Sequence, residues 1–172
     1  LCGGRINYTC YGRNPDASVY SQSEGDQSGH ASVVAAAEKL GYKLDRMAIS
    51  GGSAGGCLAL IYAYRDADTS PLPVKMVFEA VGPGSFMWRI GASSVSTKPG
   101  GRRRTVSVMS GQALTPEDIT SGAYLDAVKP ISADRWVTKD TGALLSSATA
   151  HTTRCSHLPH PSRWSPHWKR TE

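Results

Sequence analysis

The sequence predicts an α/β fold with a mostly parallel sheet. Three observations carry this prediction. Two apolar runs, at 46–50 and 74–81, have the length of buried strands. A helical pattern, Cys57, Leu58, Leu60 and Ile61 among its apolar residues, lies between them. A glycine-rich turn, Gly51-Gly52-Ser53-Ala54-Gly55-Gly56, joins the first run to that pattern. Strand, helix, strand at these spacings is the unit from which parallel sheets are built, because parallel neighbours need a crossover connection.

Taken in order, residues 5–10 alternate and are rich in β formers, which predicts a strand. Residues 11–27 are polar, contain Gly12, Pro15 and Gly25 and show no period, so they read as a loop. From His30 to Leu40, Val33, Val34, Ala37 and Leu40 recur at helical spacing, with Gly41 as the stop. Residues 54–66 are the second helix; Pro71 and Pro73 break the chain before the strand at 74–81. A cap-like excursion follows over 82–130, rich at first in Gly, Ser and Thr. Within it Thr115-Pro116-Glu117-Asp118 is a helix start, with Thr as N-cap and carboxylates near the positive end of the dipole. A short helical piece at 123–128 is stopped by Pro130.

The chain has 172 residues, 40% of them apolar and 19% charged, the composition of one globular domain. It holds no run of the ~18 apolar residues that a membrane helix needs. Cys2, Cys10, Cys57 and Cys155 show no metal-binding spacing, which predicts free thiols in a reducing, cytoplasmic compartment, with Cys57 as a small core residue. The net charge is +5, and residues 142–172 contribute four basic residues against one acidic. Arg102, Arg103 and Arg104 stand in a Gly/Ser/Thr stretch and read as a solvated loop. They lack the interleaved aromatics of a nucleic-acid surface, so no nucleic-acid partner is expected.

The chemistry lies in the turn. Gly51-x-Ser53-x-Gly55 between a strand and a helix has the spacing of a nucleophile elbow at 50–55. Ser53 stands at the apex, and Gly51 and Gly55 are expected to leave room where a Cβ on either side would collide with strand or helix. The turn lacks the Lys-Ser or Lys-Thr of a Walker loop and the G-x-G-x-x-G of a dinucleotide fingerprint. The bland alternative is a glycine-rich turn that only reverses the chain.

Four stretches resemble the α/β-hydrolase family in its esterase/lipase-like branch, of the acetyl esterase or carboxylesterase type. They are INYTCYGRNPD, KLGYKLDRMAISGGSAGGCLALIYAYRDA, VKMVFEAVGPGSF and YLDAVKPISADRWVTKDT. The resemblance runs over 6–141 and is strongest over 38–87. It implies an incomplete α/β-hydrolase core with a cap-like excursion. It also implies hydrolysis of a small-molecule acyl ester through Ser53 as nucleophile, with the backbone N–H of Ala54 as an oxyanion donor. It implies no organic cofactor and no metal. The family's upstream oxyanion loop has no counterpart; Gly3-Gly4 lies too close to the first matched strand.

The family order is Ser, acid, His, so the acid should follow a strand beginning just after Thr141. Residues 142–172 instead contain His151, His157, His160 and His167 but no Asp, and they show no binary pattern. This composition predicts a partial hydrolase domain over 1–141 and an irregular basic tail over 142–172, such as out-of-frame translation would leave. A chain of this kind is expected to be truncated and inactive. Asp140 precedes the expected strand; Asp66, Asp68, Asp126 and Asp134 read as surface or capping residues. Glu79 ends a strand and is placed to line the site, and His30 reads as an exposed residue opening a helix. The alternative function is a non-enzymatic basic protein that binds an anionic partner through the Arg102–Arg104 loop, Lys169 and Arg170.

Overall fold

A computed structural model describes residues 3–8, 17–87, 101–138 and 143–148. Its sheet has three strands, β1 (Met47–Gly52), β2 (Val74–Ala80) and β3 (Leu144–Ala148), in the order β1-β2-β3. Both pairs are parallel, so the α/β class with a mostly parallel sheet is present. Helix α1 (Val19–Lys39) precedes the sheet, and α2 (Ala54–Tyr64) is the crossover from β1 to β2. Between β2 and β3 lie α3 (Gly101–Ser110), α4 (Pro116–Ser121) and α5 (Tyr124–Val128), followed by 3-10 turns at Lys129–Ile131 and Ala133–Arg135.

Helix α2 is the centre of the core. Its residues from Gly56 to Tyr64 are all buried, because one side rests on β1 and β2 and the others are covered by α1 and the segment around Ala133–Arg135. A helix apolar all round must be buried in this way. Ile61, Tyr62, Val77, Val128 and Ile131 are its most enclosed side chains. On β2, Val77 and Glu79 face this core, whereas Met76 and Phe78 on the other face are each 44% exposed. Parallel sheets are usually covered on both faces. Here the face bearing Ala48, Ser50, Met76 and Phe78 is exposed.

Local signals place several boundaries. Helix α1 ends as Gly41 foresees: Gly41 has φ 86°, its N–H donates to Glu38 O, and the Tyr42 N–H donates to Ala37 O. This is a Schellman closure, which a residue without Cβ adopts without strain. Helix α4 starts on Thr115 as N-cap, whose hydroxyl accepts from the Asp118 N–H while Asp118 accepts from the Thr115 N–H. That capping box holds the Asp118 carboxyl below its ordinary pKa, chiefly through the Thr115 backbone donor.

Four expectations are corrected. Residues 3–8 form no strand; they lie against α1, with Gly4 against Val33 and Ile6 against Gly29. Helix α1 begins well before His30, taking in residues 19–27, because Ser18 and Ser21 form a reciprocal capping box. Arg102, Arg103 and Arg104 belong to α3, not to a loop. Arg is a good helix former, and Val106 and Ser110, one turn apart, are buried on one face. Residues 144–148 form β3, so the region after 142 is not wholly irregular. Pairing with the open edge of β2 makes this strand; five residues are too few to display a period. Residues 149–172, with His151, His157, His160, His167, Cys155, Lys169 and Arg170, lie outside the described residues, as do Cys2, Cys10 and Asp140.

Candidate functional site

Ser53 occupies the single position between β1 and α2. Its backbone has φ 52° and ψ −118°, a region that costs a non-glycine residue about 1–3 kcal/mol. The neighbours over-determine it. The Ser53 N–H donates to Ala80 O on β2 at 2.8 Å, and Ser53 O accepts the first helical bond from the Cys57 N–H at 3.1 Å. The chain must therefore leave the sheet and enter the helix within one residue.

The first four N–H groups of a helix have no intrahelical acceptor. Here the first, that of Ser53, is taken by Ala80, which among the described residues leaves those of Ala54, Gly55 and Gly56 at the helix start. The positive end of the α2 dipole coincides with them. The Ser53 side chain forms no capping hydrogen bond, and the residue is exposed. Ser53 is thus an exposed residue directly before Ala54, the sequence's candidate oxyanion donor.

The glycines divide differently from the sequence expectation. A Cβ on Gly51 would lie 2.2 Å from the carbonyl carbon and oxygen of Gly55, so Gly51 admits no side chain. A Cβ on Gly55 would meet nothing within 4 Å. The steric need assigned to Gly55 belongs instead to Gly56 and Gly82. A Cβ on Gly56 would lie 3.0 Å from Gly51 O and 3.3 Å from Gly82 Cα, and one on Gly82 would lie 2.8 Å from Cys57 N. The first turn of α2 thus rests directly on backbone at Gly51 of β1 and at Gly82 beyond β2. Nothing local in the sequence marks Gly82; only the alignment of β2 beside β1 brings it to the helix.

Glu79 is 3% exposed, and its Oε2 accepts from the Gly82 N–H at 2.8 Å. Cys57 is buried, and burial pushes its thiol up to about 12, so it is a core residue as the sequence predicts.

His30, the histidine among the described residues, is not exposed at a helix start. It lies within α1, stacked on Tyr62 with ring centroids 3.8 Å apart, and its Nδ1–H donates to Asp26 O. Tyr62 is more than two turns along α2 from Ser53, roughly 13 Å at the helical rise. His30 therefore serves the α1–α2 junction. Asp66 is likewise no surface residue: it is 6% exposed and paired in a fork with Arg65, at 2.7 and 2.9 Å. Arg65 also reaches Pro130 O and Glu24, tying α1, α2 and the turn at Lys129–Ile131 together. Asp134 is half-buried; its N–H donates to Gly84 O and its Oδ1 lacks a hydrogen-bond partner among the described residues. Asp68 and Asp126 are exposed, as the sequence predicts.

A cavity of about 290 Å³ opens between the N-terminal segment and α1, lined by Ile6, Asn7, Ser21, Gln22 and Asp26 among others, and not by the Ser53 turn. Among the described residues, no group of three or more His, Cys, Asp or Glu is placed to hold a metal, and no helix is long and apolar enough to cross a membrane. No family model, curated protein or solved structure matches the chain.

Proposed function

We propose that this chain carries the nucleophile of a serine ester hydrolase acting on small acyl esters. The observation that supports it most is the left-handed backbone of Ser53 at a strand-to-helix junction. A non-glycine residue is held there at a cost, exposed at the positive end of a buried helix. In this reading Ser53 Oγ attacks the acyl carbonyl and gives up its proton to solvent water, while the Ala54 N–H donates to the oxyanion that forms. Collapse of that intermediate breaks the ester C–O bond and releases the alcohol, which takes a proton from water. Water then hydrolyses the acyl-Ser53 ester to the carboxylic acid and restores the hydroxyl. A serine hydroxyl needs a base to be an effective nucleophile, and the described imidazole is engaged at Tyr62. The reading therefore expects slow chemistry, as of an incomplete or inactive form, rather than fast turnover.

The test is covalent labelling with a fluorophosphonate, beside p-nitrophenyl acetate hydrolysis, on the full chain and on Ser53→Ala. Slow labelling that requires Ser53 is the expected result. Equal labelling of Ser53→Ala, or none of either protein while both are folded, refutes the reading.

A further inference from the structure

Among the described residues, the two non-glycine residues with positive φ are neighbours. Ser53 follows β1 and Val81, with φ 53°, follows β2. The last rung of the β1–β2 ladder pairs Gly52 with Ala80, and the Ser53 N–H donates to Ala80 O. Both strands therefore leave the sheet side by side through left-handed steps. For Val81 this step is the more costly, because a β-branched side chain crowds the backbone there. Such a conformation persists only where the surroundings enforce it.

Glu79 bonds across this step. Its buried carboxylate accepts the Gly82 N–H at 2.8 Å and so closes the turn with Val81 inside it. The same closure presses Gly82 onto the first turn of α2. There a Cβ on Gly56 would lie 3.3 Å from Gly82 Cα and 3.5 Å from Glu79 Cβ. Gly51, the register partner of Glu79, meets the same turn: that Cβ on Gly56 would also lie 3.0 Å from Gly51 O.

We propose that Glu79 is a positioning residue. Through the Val81–Gly82 turn its carboxylate clamps the first turn of α2, and so fixes the backbone of Ser53 and the direction of the Ala54 N–H. It acts through backbone and not by touching the acyl group. The proposed ester hydrolysis supplies the use of this clamp, and that part of the inference rests on the reading above; the clamp itself is tested without it.

The experiment is amide hydrogen exchange on the full chain, comparing the wild type with Glu79→Ala and Glu79→Gln. Removing the acceptor is expected to speed exchange at the hydrogen-bonded amides of Ser53, Cys57 and Gly82 by about tenfold or more, with α1 unchanged. Glu79→Gln keeps an acceptor oxygen and is expected to retain near-native exchange. Unchanged exchange at Ser53 and Cys57 in Glu79→Ala overturns the clamp, as does an equal rise throughout α1 and α2. Where Glu79→Ala does not fold, Glu79→Gln decides: native exchange at Ser53 and Cys57 supports the clamp, and raised exchange there refutes it. Fluorophosphonate labelling is the second arm. If the wild type labels at Ser53, Glu79→Ala is expected to slow labelling about tenfold and Glu79→Gln to restore it; equal labelling in all three overturns the functional part. If the wild type does not label, the hydrolase reading fails while the exchange data still decide the clamp.

Discussion

Gly51 and Gly55 flank Ser53 symmetrically in sequence and asymmetrically in space, and substituting each with Ala separates the two. A Cβ on Gly51 would stand 2.2 Å from the carbonyl carbon and oxygen of Gly55 and 2.6 Å from Gly56 N. These are backbone atoms of a helix buried from Gly56 to Tyr64, so no side chain can swing aside. The helix must retreat by more than 1 Å, roughly the shortfall from ordinary carbon contact. Forced repacking of a core typically costs about 1–3 kcal/mol, and a rigid backbone contact belongs at the upper end. The lower chain entropy of Ala returns about 0.5–1 kcal/mol, which leaves a net loss of about 2 kcal/mol. In a chain of this size that lowers Tm by about 4–8 °C. Gly55→Ala has open space and a helical position, so it is expected to gain about 0.5–1 kcal/mol. Urea unfolding followed by circular dichroism, with a thermal melt beside it, measures both. A Gly51→Ala protein within about 0.5 kcal/mol of wild type, or a Gly55→Ala protein as weak as Gly51→Ala, refutes the steric argument.

Four further outcomes follow from the structure. Burial raises the Asp26 carboxyl pKa, the nearby Asp66 adds to this, and His30 opposes it. A raised carboxylate pKa makes the ionised form a liability: stability falls as pH climbs from the ordinary value through the raised one. Asp26→Asn is therefore expected to raise Tm at neutral pH and to lose that advantage below about pH 4, where both states carry the proton. The Cys57 thiol, buried and pushed up to about 12, is expected to resist a thiol-specific disulfide reagent until the chain is unfolded. Peptide mapping that finds Cys57 modified in the folded protein contradicts its burial. Thr115→Ala removes the N-cap of α4 and is expected to cost about 1 kcal/mol in urea unfolding. At the same site, Asp118→Asn should lose stability at neutral pH and converge with wild type in acid, because the depressed carboxyl stabilises only while ionised.

What could be read from the sequence was local. Gly41 closing α1, Thr115 opening α4 and the Ser53 turn between β1 and α2 each announce themselves within a few residues. The start of α1 is hidden because its contacts use small residues: Ser23 is buried and Gly29 meets Ile6, neither of which makes an apolar stripe. Strand β3 was hidden because Leu144–Ala148 is strand only by pairing with β2. In the site, Gly51 was legible from its spacing to Ser53. The contributions of Gly82 and Glu79 were not, since they reach α2 only after β2 has taken its register against β1. Asp66 and His30 are less exposed than the sequence predicts for a related reason. Short polar side chains look like surface until a partner such as Arg65 or Tyr62 is packed over them.

The order in which the strands join the sheet differs from one edge to the other. Strands β1 and β2 are linked by α2 and a short turn, so their pairing closes early and cheaply in entropy. Strand β3 returns to β2 only after the whole of 81–143 has been made. During synthesis the far edge of β2, with Met76 and Phe78 beside it, therefore waits unpaired while that segment leaves the ribosome. The nascent chain is most exposed to capture by chaperones, or to pairing with a neighbouring chain, during that interval.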